Sequence, residues 1–211
     1  MNFSRIIFIG GGDLCRELAS LIDQTNSRLN KSNLFYLDSK IRDFKNKDLE
    51  PEYLGRIEDF SPKLGDKIFL TISDPTSKKK IIKENPNFIE FIQTFIHPTA
   101  IISKSASIGR GCILFPFVYL SESSIVESYV NLNSYVGIGH DSKIGKYSTI
   151  SAQVDIAGYC ELNECCFLGS GSRIIPKKKV GEYASVGAGS VVIKNVPPKT
   201  HVFGSPAKKI Y

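Results

Sequence analysis

The chain has 211 residues, 42% of them apolar, which suits one large or two small packed domains and excludes a disordered polymer. No run approaches the roughly 18 apolar residues that a membrane-spanning helix needs, and the opening MNFSRIIFIGGGD lacks the layered pattern of a secretory signal, so a cytoplasmic protein without membrane insertion is expected. The net charge of +6 gathers at one end, with 15 Lys/Arg against 14 Asp/Glu over residues 1–96, 4 against 6 over 97–172 and 8 against 1 over 173–211; with no nucleic-acid-binding motif beside it, the basic end fits a small polyanion and no nucleic acid is expected.

In chain order, Arg5 to Ile9 reads as a buried strand, Gly10-Gly11-Gly12-Asp13 as a turn, and Leu14, Leu18, Leu21 and Ile22 as the apolar face of a helix. Further strands are predicted at Asn33–Leu37 and Ile68–Ile72, with a helix from Thr76 to about Lys83 and a turn at Asn85-Pro86-Asn87. Alternating strands and helices imply a small parallel α/β sheet over 1–96.

The pattern changes near Ile96 and His97. From Ile102 to Val192 every sixth residue is Ile, Leu or Val without a break, and four residues after each stands a small or β-branched residue, only Lys178 interrupting that second column. A period of six does not fit a helix of 3.6 residues per turn; it fits short strands joined by tight turns into a parallel β-solenoid, three hexads to a coil. Gly109, Gly139, Gly145, Gly169, Gly181 and Gly187 directly follow the aliphatic position and are expected to mark the corners. The five cysteines are odd in number and form no CxxC pair, so they are read as small core residues, neither disulfides nor a zinc site.

The order of these halves, together with Ile7–Leu18 (IFIGGGDLCREL), His97-Pro98-Thr99-Ala100, Asn131–Tyr147 (NLNSYVGIGHDSKIGKY) and Val202–Lys208 (VFGSPAK), resembles the hexapeptide-repeat sugar acyltransferases, the group that contains the bacillosamine-pathway N-acetyltransferase and the sialic acid O-acetyltransferase-like proteins. The resemblance implies a Rossmann-like nucleotide-sugar-binding domain over 1–96, a left-handed parallel β-helix with a C-terminal loop over 97–211, and a homotrimer with the coenzyme between neighbouring prisms. It further implies transfer of acetyl from acetyl-coenzyme A to a nucleotide-linked amino sugar for surface polysaccharide or glycan synthesis. O-acylation on the same scaffold, or a non-catalytic nucleotide-sugar-binding solenoid, are the alternatives.

Relatives carry a histidine where this chain has Leu14, but Gly10, Gly11 and Gly12 keep the close backbone approach and helix N-terminus that suit a phosphate. Asp38 holds the acidic position that meets the nucleoside in relatives, with a loop-capping aspartate as the alternative. Of the three histidines, His97 is expected to brace the domain junction and His201 to lie on the surface, while Gly139-His140-Asp141 resembles the family's catalytic pair. A neutral imidazole beside a carboxylate suits a general base, because an attacking amine must lose a proton. By resemblance, Asn133 lies near the sugar amine, Thr149 stands where relatives have a second histidine that meets the donor, and acetyl-coenzyme A runs past Gly158 toward Lys177, Lys178, Lys179 and Lys194. Three separated histidines do not make the zinc site of a solenoid carbonic anhydrase, so no metal is expected.

Overall fold

The computed structural model describes residues 5–25, 33–43 and 50–210, which divide into two compact units, Met1–Ser73 with Lys80–Gln93, and Asp74–Lys79 with Thr94–Tyr211. The first unit is an α/β layer. Strands β1 (Ile6–Ile9), β2 (Leu34–Leu37), β3 (Glu52–Gly55) and β4 (Lys67–Leu70) form a parallel sheet in the order β3-β2-β1-β4. Every residue of the central strand β1 is buried, as a fully covered parallel strand requires. Helix α1 (Asp13–Thr25) buries Cys15, Leu18, Ala19 and Ile22, and α2 (Pro75–Glu84) follows β4. The edge strand β3 was not expected from the sequence: Glu-Tyr-Leu-Gly is short, none of its side chains is buried, and it carries no periodic signal. Among the described residues no helix is long and apolar enough to cross a membrane.

The second unit is a parallel β-solenoid, a left-handed β-helix. Each strand pairs with the strand 18 residues later, Asn131 with Thr149 and Gly137 with Asp155, so three hexads do make one coil. The chain visits three ladders in turn. We call them face 1 (starting at Phe95–Ile96), face 2 (starting at Ile101–Ile102) and face 3 (starting at Ser107–Ile108). The aliphatic column points inward: from Leu114 to Val192 every member is buried, stacked along the prism axis.

The second column fills the inner corners, where its polar members bond to the next coil. Ser142 Oγ donates to the Ala157 carbonyl at 2.9 Å and accepts from the Cys160 N–H at 2.9 Å. Cysteines serve in the same way: the Cys160 thiol donates to the Ile175 carbonyl and the Cys166 thiol to Gly181, each at 3.2 Å. Burial pushes the Cys166 thiol up to about 12 and Cys112 to about 11, so these groups stay protonated and inert.

The sharp bend lies elsewhere than the glycines that follow the aliphatic column. It falls two residues later, where Phe117, Ser123, Tyr129, Tyr135, Asp141, Tyr147, Gln153, Tyr159, Cys165, Lys177 and Tyr183 all have φ between 54° and 64°. The glycines answer a different demand. A Cβ on Gly109 would lie 2.5 Å from the Ser128 nitrogen and one on Gly145 2.4 Å from the Asn163 carbonyl carbon, so they admit the backbone of the next coil. The left-handed column contains no Val, Ile or Thr, the residues that tolerate positive φ least.

Residues 74–79 belong to the second unit because Lys78 enters the edge between faces 3 and 1. Its side chain is fully buried, and Nζ donates to the Tyr129 carbonyl at 3.1 Å, the Ser148 carbonyl at 2.9 Å and Thr149 Oγ1 at 2.9 Å. Lys79 beside it binds Glu164 and the Tyr183 hydroxyl, its ammonium 5.1 Å from the Tyr183 ring centroid. Burial pulls the Lys78 ammonium from 10.5 down to about 7, although Cys112, Cys165 and Asp74 favour the charge.

Two tests follow. Gln153 is at φ 61°, so Gln153→Val should lower the unfolding free energy in urea by about 1–2 kcal/mol while Gln153→Asn stays within about 0.5 kcal/mol. Between about pH 7 and 10.5 the unfolded chain holds the Lys78 proton that the folded chain releases, so stability from this group rises with pH, by up to about 1.4 kcal/mol per pH unit. Urea titrations across that window should show the rise in the native protein and its loss in Lys78→Met; parallel curves for the two would refute it.

Candidate functional site

The corner geometry decides what His140 faces. It stands between Ile138, inward on face 2, and the left-handed corner residue Asp141, and its imidazole lies outside the prism with 51% of the side chain exposed. His140 Nδ1 and Asp141 Oδ2 are 2.8 Å apart. A carboxylate at that distance holds a proton on Nδ1 and leaves Nε2 as the acceptor nitrogen.

The coil above supplies the floor and one wall. Gly158 lies under the ring: a Cβ there would be 2.7 Å from Nε2 and 2.8 Å from Cε1. The Tyr159 N–H donates to the His140 carbonyl at 2.9 Å, and the Tyr159 ring meets the imidazole edge-to-face, with centroids 4.9 Å apart and planes at 87°. One coil further, the Lys177 N–H donates to the Gly158 carbonyl, and its ammonium sits 6.0 Å from the Tyr159 centroid. Tyr159 was not singled out from the sequence. The available signal was its place 18 residues after Asp141, in the same column of the same edge.

The edge between faces 2 and 3 thus brings His140, Asp141, Gly158, Lys177, Lys178 and Lys194 into one file, layer upon layer. Lys178 fills the half-buried inner-corner position, where its carbonyl accepts from the Glu161 N–H. Lys179 lies outside the file on face 3, paired with Glu161 at 2.7 Å. The file ends at a cavity of about 410 Å³ lined by Lys194, Val196, Pro197, Pro206, Lys208 and Lys209, among others.

Asn133 does not join this group within one chain. It follows Leu132 on the edge between faces 1 and 2, and its Oδ1 accepts from the Ser134 N–H at 2.7 Å. Thr149 points outward from face 1, where it is buried beneath Lys78. His97 bonds Thr99 at 2.8 Å, and His201, which the sequence placed on the surface, is half-buried, bonded to Ser185 and part of the lining of a second cavity of about 420 Å³. Among the described residues no three His, Cys, Asp or Glu side chains gather as a metal site.

In the first unit, Gly10 to Gly12 cross from the C-terminal end of β1 to the start of α1. The sheet order reverses between β1 and β4, the crevice where open α/β sheets take ligands. Gly10 has φ 100° and donates to the Leu37 carbonyl. Gly11 packs on Tyr36, since a Cβ would lie 2.5 Å from the ring, and its N–H donates to Asp38 Oδ2 at 3.0 Å. Gly12 alone of the three opens onto free space. Asp38 is buried and accepts from Gly11, from the Ser39 N–H and hydroxyl, and from Arg42 through Nε at 2.9 Å and Nη2 at 3.2 Å. Burial pushes its carboxyl up, but these donors outweigh that and hold it below the usual range.

No family model matches the chain. GDP-perosamine N-acetyltransferase of Escherichia coli O157:H7 is 32% identical over 126 residues, covering 56% of this chain and 55% of that protein. The chain spans from about a quarter to about half the length of such curated relatives. Among solved structures, WeeI from Acinetobacter baumannii AYE superposes with a TM-score of 0.87 at 22% identity, covering 98% of this chain and 99% of that one. PerB from Caulobacter crescentus, solved in complex with CoA and GDP-perosamine, gives 0.83 at 22%, covering 98% and 97%. These neighbours are perosamine- and bacillosamine-type N-acetyltransferases of the hexapeptide-repeat family, and it is their fold that this chain has over nearly its whole length.

Proposed function

We propose that the chain is an acetyl-coenzyme A-dependent N-acetyltransferase acting on the amino group of a nucleotide-linked amino sugar, a 4-amino-4,6-dideoxyhexose. The carrying observation is the imidazole with Nδ1 on Asp141 and Nε2 open above Gly158. In this reading the sugar amine attacks the thioester carbonyl while Nε2 takes the amine proton. The C–S bond breaks, the amide forms, and the imidazolium returns its proton to the departing thiolate. Asp141 keeps the tautomer and steadies the imidazolium. Reliance on acetyl-coenzyme A sets the reaction in the cytoplasm.

The donor's pantetheine arm runs up the same edge, past Gly158 and Pro176, which present little side chain. Its phosphates meet Lys177 and Lys194 and the lysine-bordered cavity at the end of the file. Lys178 and Lys179 contribute charge at longer range, the second through a carboxylate-paired ammonium. Residues 1–96 serve as the nucleotide-sugar domain, with the diphosphate at Gly10 to Gly12; Asp38, its lone pairs engaged, orders the turn that receives it. A homotrimer completes the site. His140 and Asn133 occupy different edges of one prism, so they reach one acceptor sugar only from two copies. Exposed Ile101, Phe117, Tyr119 and Tyr135 supply the apolar surface for that packing, Phe117 and Tyr135 stacked at 4.9 Å.

His140→Ala should retain the trimer and both ligand affinities while the turnover number falls roughly 10²–10⁴-fold at neutral pH, read by thiol release from acetyl-coenzyme A with nucleotide amino sugars and their hydroxyl counterparts. Near-native turnover would reject the assignment. Gly12→Val should weaken calorimetric nucleotide-sugar binding at least tenfold and spare acetyl-coenzyme A, whereas Gly11→Val collides with Tyr36 and should lower stability instead. Unchanged nucleotide affinity in Gly12→Val would remove the turn from the site.

A further inference from the structure

An exposed histidine on a prism edge has free torsions about χ1 and χ2, and a base that wanders loses most of its worth. Asp141 restrains one nitrogen, but it is itself exposed and lies next in sequence, so one hydrogen bond leaves the ring free to hinge. What closes the arrangement comes from the coil above. Tyr159 occupies a left-handed corner at φ 60°, and its N–H is bonded to the carbonyl of His140 itself, so its Cα is tied to the backbone that carries the imidazole. From that anchor its ring stands edge-to-face against the imidazole at 4.9 Å, while Gly158, lacking a Cβ, lets the imidazole lie against its backbone. Tyr159 is 55% exposed and adds nothing to the hydrophobic core, so burial does not account for an aromatic residue there.

We propose that Tyr159 is a positioning residue that holds the His140 imidazole in the orientation and tautomer with Nε2 facing the acceptor amine. The inference rests on the reading of His140 as the base. An edge-to-face ring contact of this kind is comparable in strength with a surface hydrogen bond. Acting with the Asp141 bond, it turns a ring restrained at one atom into one restrained by a hydrogen bond and a ring contact. Lys177, its ammonium over the Tyr159 ring at 6.0 Å from the centroid, extends the same file. The hydroxyl has no part in the role, so phenylalanine should replace tyrosine.

The test uses full-length protein labelled with ¹⁵N and ¹³C histidine. The chain has three histidines, and His140→Gln identifies the signal of interest. Tyr159→Asn removes the ring and keeps a residue at ease in left-handed backbone. The expected result is loss of the ring-current shift on the His140 ring protons, ring nitrogen shifts moving toward a mixed-tautomer average, unchanged His97 and His201 signals, and a roughly tenfold lower turnover number with KM for both substrates within twofold. Tyr159→Phe should restore all of these. Native His140 signals in Tyr159→Asn, or a Tyr159→Phe variant as impaired as Tyr159→Asn, would overturn the proposal. The spectra report on the ring without any acceptor sugar, so this outcome is separable from failure of the functional reading, which would appear as full turnover in His140→Ala.

Discussion

One hydrogen bond, repeated along every edge of the solenoid, organises the rest: from Tyr129 to Gly189, the N–H of each left-handed corner residue donates to the carbonyl of the residue nineteen positions earlier, at the corner of the coil below. Asp141 donates to Glu122, Tyr159 to His140, Lys177 to Gly158, and the same step recurs from Tyr129 on Arg110 to Gly189 on Ser170. An L-residue in this conformation loses roughly 1–2 kcal/mol relative to its right-handed form. The bend nevertheless persists in layer after layer, because without it an N–H and a carbonyl at each corner would lose their partners. The strain and the stacking are one feature seen from two sides.

That constraint explains the division of labour among three columns of sequence. The aliphatic residue fills the axis, the small residue lets the inner corner close, and the residue three after the aliphatic takes the left-handed turn. The position just before it is occupied by Glu122, His140, Gly158, Pro176 and Lys194 on one edge, and the carbonyls of the first three accept from the corner of the next coil. Its side chain leaves the prism. Functional groups at that position are held by a backbone that the coils above and below already fix, which is the rigidity a catalytic group requires.

The sequence declares the solenoid through its sixfold period, whereas His140 stands out only through its place outside the aliphatic column, its neighbour Asp141 and the resemblance of Asn131–Tyr147 to the family motif taken together. The left-handed column was equally legible, as an unbroken absence of β-branched residues from Phe117 to Tyr183, but glycine is the customary sign of positive φ and drew attention to the wrong position. Lys78 was hidden for a different reason. Within Lys78-Lys79-Lys80 it has the look of a solvated helical lysine, and only the solenoid's edge, fifty to seventy residues away in sequence, buries it and supplies two carbonyls and a hydroxyl. Asp38 shows the same limit. Its position at the end of β2 is readable, whereas its five donors come from a turn 27 residues earlier and from Ser39 and Arg42 just beyond the strand.

Long-range partners of this kind decide whether a polar residue is available for chemistry or already spent on structure. On the His140 edge the distinction follows the layers. Glu122 carries serine partners, with Ser105 bonded to its carboxylate. His140 has a carboxylate neighbour and an aromatic wall, Gly158 presents only backbone, Pro176 is followed by a cation, and Lys194 borders a largely apolar cavity together with Lys208 and Lys209. Because the backbone repeats from coil to coil while two residues per layer are free to differ, an edge about five layers long holds a carboxylate-paired imidazole, a glycine and a proline that present little side chain, and a cationic end in a single line. A thioester carried on a long flexible arm with phosphates at its far end has the same order of parts: reactive carbonyl, slender chain, anion. Under the proposed function, the period of six that builds the prism also spaces the groups assigned to the donor, at roughly 4.8 Å for each coil climbed.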